Sequence, residues 1–498
     1  MYAFKQCKNV WRATVPEDSV EVIGDRAFEG CTALSRVSLG NGLKVIGYYA
    51  FYNCTVLTNT VNNQERMIPA SVTSIGYNAF KNTLLWNDTA FAENGVVYAG
   101  TWAVGFKFSS VNVTLRANTT GIADYAFYDE PYVRTIQGLN RVKIIGEGAF
   151  YNNADLTFAS LNDDLTEIKD YTFYGCNSLI SVGDLPYGLN SVGRSAFYNC
   201  TTLREIDLSA CNVKTIGDYA FYNCSNLRQI TFPDKLEDIG TYSFYKCSAL
   251  REIRLPASLK TVSARAFGRN TALENVDLGN VEALDDYAFT NCTSLKSVTV
   301  PDTVVSIGKS AFYNCVGLEA LKFGAGLKTI SDYAFYGAES LKALVIPENV
   351  TYVGKLAFKG AKSLSSVVLT DIKVVASHAF YGCSSATFYY TANKISNEWN
   401  ARWNSSLRPV VFNAKLSDTG DYVDSVKVSD VLNGQRGGSL TGIAAPYREG
   451  HVFVGWAKSE GGEPVYSAEE IAFAKPDEVI YSVWEVAPAA AQPPADET

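Results

Sequence analysis

The chain has 498 residues, of which 47% are hydrophobic and 19% charged, and its formal net charge is −8. Such a composition belongs to an ordinary soluble fold with ample core. Its acidic balance argues against nucleic-acid backbones, which need clustered Lys and Arg, and no apolar run approaches the length that spans a bilayer.

From its first residues the chain is periodic. A phenylalanine returns at Phe4, Phe28, Phe51, Phe80, Phe127, Phe150, Phe173, Phe197, Phe221, Phe244, Phe267, Phe289, Phe312, Phe335, Phe358 and Phe380, mostly at intervals of 22 to 24 residues. A fixed period of this size marks a solenoid, in which each unit buries its apolar face only against its neighbours. Because Met1-Tyr-Ala-Phe4 already lies inside a repeat, the natural protein is expected to begin further upstream, and the missing signal peptide says nothing about location.

Within one unit, an aliphatic sits five residues before the Phe (Ile46, Ile168, Ile216, Ile239, Ile307), often followed by a Gly that suits a bend. Segments such as Asp218-Tyr-Ala-Phe-Tyr-Asn-Cys224 are too short for a regular helix, so a single helical or 3₁₀ turn is predicted there. Six residues after the Phe comes a Leu (Leu203, Leu227, Leu250), then an alternating apolar pair such as Ile230 and Phe232 or Ile253 and Leu255. Alternation over four or five residues predicts a short half-buried strand, and a following Pro (Pro233, Pro256) ends it. The predicted fold class is a solenoid of short strands and turns, with a small C-terminal β-rich module.

Two intervals depart from the period. Phe51 to Phe80 is 29 residues, which leaves a loop of about six extra residues near 59–66. Phe80 to Phe127 is 47 residues, and the middle Ala-Phe signal is missing. Two alternating runs around Ala99-Gly-Thr101 predict a β-hairpin near 84–118 that replaces or protrudes from a coil.

Ten of the eleven cysteines share one slot, three residues after the Phe: Cys7, Cys31, Cys54, Cys176, Cys200, Cys224, Cys247, Cys292, Cys315 and Cys383. Metal binding needs paired spacing, which is absent. Asn153, Asn270, Thr83, Ala338 and Ala361 substitute in the same slot, so buried free thiols are the simpler reading; pairing between adjacent coils stays geometrically open. Asn53, Asn199, Asn223 and Asn291 match the N-glycosylation pattern, yet each also sits at the repeat turn.

On the strands, the residues alternating with the buried pair form two outward columns. One contains Glu205, Gln229, Glu252, Asn275 and Ser297; the other Asp207, Thr231, Arg254, Asp277 and Thr299. Polar residues that vary from coil to coil on a rigid sheet suit a protein partner, or are merely a soluble face. Tyrosine also recurs, after the Phe (Tyr151, Tyr174, Tyr198, Tyr222) and two before it (Tyr171, Tyr219, Tyr242). These rings either stack on sugars or proteins or pack between coils, and their regularity favours packing.

Past Phe380 the ladder ends. Trp399, Trp403 and the run Pro409-Val-Val-Phe412 predict a C-terminal cap over 391–412 closing the 1–390 solenoid. Residues 413–486 differ in texture, with strand-like runs at Pro446–Trp456 and Val479–Trp484, and predict a small β-rich module. The Pro/Ala-rich stretch 487–498 reads as linker.

Little in the chain suggests chemistry. The two histidines, His378 and His451, have no nucleophile near them in sequence. The acidic pairs Asp163-Asp164, Asp285-Asp286 and Glu469-Glu470 read as solvated turns, although carboxylates on distant coils are not excluded by sequence. No phosphate loop or metal spacing is present, so no cofactor, metal or catalytic residue is assigned.

The unit I-G-x-x-A-F-x-x-C-x-x-L-x-x-I-x-L-P, recurring some sixteen times over about residues 1–412, resembles the BspA-type leucine-rich repeats of bacterial surface proteins. The resemblance implies a curved, non-enzymatic solenoid, extracellular at the cell surface or cell wall, that adheres to proteins of host cells, matrix or other microbes. Gly450, Phe453-Val-Gly-Trp456 and Tyr481-x-x-Trp484 resemble the Listeria–Bacteroides repeat, a β-grasp-like module of the internalin B type that implies a spacer. A monomer is expected. The alternative is a carbohydrate-binding or enzyme-associated accessory module that uses the tyrosines.

Overall fold

A computed structural model describes residues 3–16, 19–58, 60–61, 64–65, 68–87, 92–107, 110–370, 372–390, 398–400, 402–404, 410–411, 425–427, 451–458, 463–465 and 479–486. The chain divides into two compact units, Met1–Ala272 and Leu273–Thr498. Both are built from the same coil of a parallel-strand solenoid, with almost no helix.

In the first unit each regular coil carries two parallel strands. The predicted short strands are three residues long and include Glu205–Asp207, paired in register with Gln229–Thr231 (Ile206 on Ile230). The aliphatic five residues before the Phe lies in a second ladder of two-residue strands: Glu167–Ile168, Ser191–Val192, Thr215–Ile216 and Asp238–Ile239. Between the ladders the Phe rings stack face to face, with Phe197–Phe221 and Phe221–Phe244 both at 5.1 Å. Leu203, Leu227 and Leu250 are fully buried beside them. Burying each such side chain stabilises the fold by roughly 1.5–3 kcal/mol.

The turn around Tyr-Ala-Phe-Tyr-Asn keeps the i→i+3 bonds of the expected helical or 3₁₀ turn but is not a continuous helical turn. It consists of successive four-residue turns: Ala220 N donates to Gly217 O, Tyr222 N to Tyr219 O and Cys224 N to Phe221 O. The intervening amides donate to the next coil, Tyr219 N to Thr241 O, Phe221 N to Ser243 O and Asn223 N to Tyr245 O. Pointing alternate amides in two directions requires left-handed residues, here Tyr219 at φ 57° and Asn223 at φ 58°. A helix would direct every amide back along its own axis and leave the neighbouring coil's carbonyls unpaired. Asn and Gly suit the second position. A tyrosine at the first costs about 1–2 kcal/mol, offset in part by ring stacking such as Tyr219 on Tyr242 at 5.0 Å. The glycine expected to make a bend serves close approach instead: a Cβ on Gly217 would lie 2.6 Å from Arg194 N.

The cysteine slot is a hydrogen-bonding position. Cys200, Cys224 and Cys247 donate their Sγ–H to the carbonyls of Phe173, Phe197 and Phe221, one coil back. All eleven thiols are free. Burial pushes Cys54, like Cys315 and Cys383 of the second unit, up to about 12, so these thiols stay protonated and able to donate.

The hairpin of the first unit replaces a coil. Val96–Ala99 and Trp102–Phe106 pair antiparallel, and Trp102–Phe106 continues in parallel onto Gly121–Ile122, with Ala103 opposite Ile122. Phe106 supplies the missing ladder ring, 5.4 Å from Phe127. Gly105 admits the Trp86 ring, which a Cβ would meet at 2.2 Å. Within the expected extra loop, Thr60–Val61 pairs antiparallel with Gln64–Glu65.

The second unit repeats the plan, with Phe289, Phe312, Phe335, Phe358 and Phe380 stacked at 5.1–5.3 Å. Trp403 then meets Phe380 edge-on at 6.0 Å, and its carbonyl accepts from Phe380 N as a further coil would. Trp399 Nε1 donates to Ile372 O at 2.7 Å. Further on, Ser425–Lys427, Val479–Val486 and His451–Ala457 form a three-stranded antiparallel sheet in that order. Apart from 458 and 463–465, the rest of 413–486 and the stretch 487–498 lie outside the described residues.

Asn270 occupies the cysteine slot of its coil, is fully buried, and reaches no hydrogen-bond partner with either amide atom among the described residues. Asn270→Cys places a donor against Phe244 O, by the pattern of Cys247. The variant is expected to gain about 1–3 kcal/mol, the usual penalty of an unpaired buried polar group, seen as a higher melting temperature. An unchanged or lower melting temperature would show that the amide is satisfied.

Candidate recognition surfaces

The outward columns lie where the strand phase puts them. In the first unit Ile206, Ile230, Ile253 and Leu255 are buried, while Glu205, Asp207, Gln229, Glu252 and Arg254 are exposed; Thr231 is half-buried. Arg254 Nε donates to Glu252 Oε1 at 2.7 Å, so this pair shares its charge within one strand. Asp207 Oδ1 also accepts from Ser209 N at 2.9 Å, which fixes the turn after the strand. In the second unit Asn275, Asp277, Ser297 and Thr299 are exposed, with Asn275 opposite Ser297. Asp277 repeats the turn role through Gly279 N.

The same columns close towards the end of the second unit. Ser366 and Val368 are each 2% exposed, Thr387 is fully buried and Tyr389 is 1% exposed. Strand alternation is lost there: Ser366–Leu369 and Thr387–Tyr390 are buried at all four positions. The signal was available in Val367-Val-Leu369 and Phe388-Tyr-Tyr390, continuous apolar runs of the kind that bury both faces.

The tyrosine surface is packed against itself. In the first unit Tyr151, Tyr174, Tyr198 and Tyr222 stack in sequence at 4.3, 4.6 and 4.7 Å with their planes within 6° of parallel. In the second unit Tyr313 and Tyr336 stack at 4.8 Å. Each ring covers its neighbour's face, so edges and hydroxyls meet solvent. Sugar stacking needs a free face, and these are occupied. The asparagines of the glycosylation pattern are likewise engaged: Asn223 Nδ2 donates to Asn199 Oδ1 at 2.9 Å, and Asn314 Nδ2 to Asn291 Oδ1 at 2.9 Å.

The carboxylates three residues before the Phe, of which the sequence reading singled out only Asp286 and took it for part of a solvated turn, have a repeat role. Asp170 Oδ1 accepts from Arg194 N and Asp218 Oδ1 from Thr241 N; in the second unit Asp286 accepts from Lys309 N and Asp332 from Lys355 N. Asp124 does the same for Glu147 N, at 2.9 Å. Glu147 in turn accepts from the hydroxyls of Tyr125 at 2.9 Å and Tyr48 at 3.4 Å. Burial pushes the Asp124 carboxyl up to about 6, with Lys169 opposing the shift.

A cleft of about 310 Å³ opens where strand pairing breaks between Ile144–Ile145 and Glu167–Ile168, lined in part by Thr73, Lys143, Asp164 and Glu167. Its charges pair internally, Lys143 with Asp164 at 2.8 Å and Lys169 with Glu167 at 3.6 Å. His378 takes the left-handed Tyr slot at φ 57°, edge-on to Tyr381; the side chain of His451 lies outside the described residues. Among the described residues no group of three or more metal-ligating side chains converges.

Residues 1–87, 55–180, 180–295 and 265–387 match the model of the BspA type leucine-rich repeat region (6 copies). No curated protein matches the chain. Among solved structures, the chain is similar to a leucine-rich repeat protein of Bacteroides ovatus, at 26% identity over 69% of this chain and 81% of that one, with a TM-score of 0.46. It is also similar to a leucine-rich cell surface protein of Faecalibacterium prausnitzii, at 22% identity over 80% of this chain and 91% of that one, with a TM-score of 0.34. An internalin of Listeria monocytogenes follows at 14% identity over 72% and 85%, with a TM-score of 0.25.

Two expected outcomes test this geometry. A Glu252→Lys, Arg254→Glu double reversal should change stability by no more than about 0.5 kcal/mol, whereas Leu255→Ala should cost roughly 2–5 kcal/mol. Equal melting temperatures for the two variants would mean the strand phase is displaced by one residue. Asp124 has a folded pKa above its ordinary 3.8. Its stabilising contribution is therefore present below that value and lost as pH rises through about 6. Asp124→Asn keeps the acceptor for Glu147 N, so it should melt higher than the parent at pH 7.5, by on the order of 2 kcal/mol. The difference should vanish by about pH 4; a gap that persists there would assign it to packing.

Proposed function

This chain belongs to the BspA-type leucine-rich repeat family, and on that footing we propose that it is a non-enzymatic cell-surface adhesin or recognition scaffold. It binds proteins of host cells, extracellular matrix or neighbouring microbes through the outward face of its three-residue strands. The observation that carries the reading is the division of labour along Glu205–Asp207, Gln229–Thr231 and Glu252–Arg254. The middle residue of each is locked in the core, while the flanking residues are polar, different in each coil and mostly exposed. A rigid backbone presenting variable side chains at strand spacing can specify a protein surface without ordering itself on binding.

Residues 413–486 are read as a Listeria–Bacteroides-type spacer that holds the solenoid away from an anchoring surface, and the scaffold acts as a monomer outside the cell. A carbohydrate-binding accessory role has less support, because the tyrosine faces it needs are stacked on one another.

Arrays of host-surface and matrix proteins, probed beside a glycan array, test the proposal. Reproducible binding to protein spots, weakened by the Glu252→Lys, Arg254→Glu reversal, is expected. Binding confined to glycans would overturn it.

A further inference from the structure

In the first unit one column breaks an electrostatic rule. The residue just before the strand, seven after the ladder Phe, is exposed Arg204, Arg228 and Arg251 in three consecutive coils. Arg228 N donates to Arg204 O at 2.8 Å, and the Phe rings of the three coils stack 5.1 Å apart. The three guanidinium groups make no hydrogen bond or ion pair among the described residues. At the same position the second unit alternates in sign, Glu274, Lys296, Glu319 and Lys342, and Glu319 pairs with Lys342 at 2.6 Å and with Lys296 at 3.8 Å. Three like charges one coil apart repel. A local rule broken without compensation inside the fold points to a partner outside it.

An apolar pad continues the column. Ile180 holds the same position one coil earlier, and its carbonyl accepts from Arg204 N at 3.3 Å. Phe158 forms a β-bridge with Ser181, beside Ile180. Phe158 is 48% and Ile180 40% exposed, although the strand position equivalent to Phe158 is polar in the next four coils, Ser181, Glu205, Gln229 and Glu252. An aromatic and an aliphatic side chain beside unpaired arginines make the composition of an interface centre.

We propose that Phe158, Ile180, Arg204, Arg228 and Arg251 dock an acidic protein segment, an extended stretch with carboxylates along its length and an apolar side chain at one end. The inference rests on the reading of the strand face as a protein-binding surface and names the chemistry of its partner. Charge complementarity selects the acidic segment: guanidinium forks match carboxylates bidentately. A sulfated polysaccharide fits less well, since it would leave the apolar pad of Phe158 and Ile180 uncovered.

The test uses the full chain and three fluorescent probes: a peptide of two leucines followed by alternating glutamate and serine, the same peptide with glutamine for glutamate, and a heparin oligosaccharide. The acidic peptide alone is expected to bind. Its affinity should fall about tenfold or more in the triple variant Arg204→Ser, Arg228→Ser, Arg251→Ser, and on raising salt from low to physiological. Phe158→Ser should weaken it with little change in salt dependence. Equal melting temperatures confirm that the variants remain folded. No binding of the acidic peptide, binding unchanged in the triple variant, or a preference for heparin overturns the proposal. Protein-array hits that the triple variant retains would leave the scaffold reading standing and this one refuted.

Discussion

Within each unit the regular coils must lie on one another in one conformation, and the turn around the ladder Phe enforces it. Its amides alternate between closing their own four-residue turn and donating to the neighbouring coil. That alternation demands two left-handed residues per coil, and the repeat supplies them most often with Tyr at the first and with Asn or Gly at the second. Once the backbones are in register, like residues must stack. Flat rings tolerate that best, which explains Phe on Phe inside and Tyr on Tyr at the turn surface. The thiol slot follows from the same register, because a small donor there reaches the Phe carbonyl one coil back. No coil holds these bonds alone, so stability accrues at coil interfaces.

This constraint divides the surface. At the turn, side chains are committed: tyrosine faces cover one another, asparagine amides pair along the ladder, and an aspartate accepts the next coil's amide. Beside the strands, backbone bonding is complete without side chains, so the outward positions are released to vary. The strand side is therefore where side chains are free to vary, because the turn side is spent on holding the coils in register.

Much of the core was legible because its period is long and its residues are distinctive. Ile206, Ile253 and Leu255 could be placed inside, and Glu252 and Arg254 outside, from alternation over a few residues, and the structure agrees. The second strand ladder was not legible: Thr215–Ile216 is two residues long, too short for any alternation to register. The turn was taken for a single helical or 3₁₀ one since Tyr rarely adopts positive φ and nothing local announces it. The closed columns at Ser366–Leu369 and Thr387–Tyr390 were visible as apolar runs, but the repeat pattern suggested they would behave like their neighbours. The arginine column was missed because it lies one position outside the strand, where alternation has no bearing, and only a count from the Phe aligns it.

The departures from the repeat fall into two kinds. At the hairpin the fold compensates towards the following coil: Phe106 packs on Phe127 and Trp102–Phe106 pairs with Gly121–Ile122, while Asp124 N donates directly to Ile75 O across the irregular stretch. At Arg204, Arg228 and Arg251 nothing within the described fold compensates, although the second unit shows that alternating signs are available at that position and form pairs there. An irregularity that the stack absorbs reports on folding. One that it leaves exposed and charged, beside an apolar pad, reports on what the surface meets.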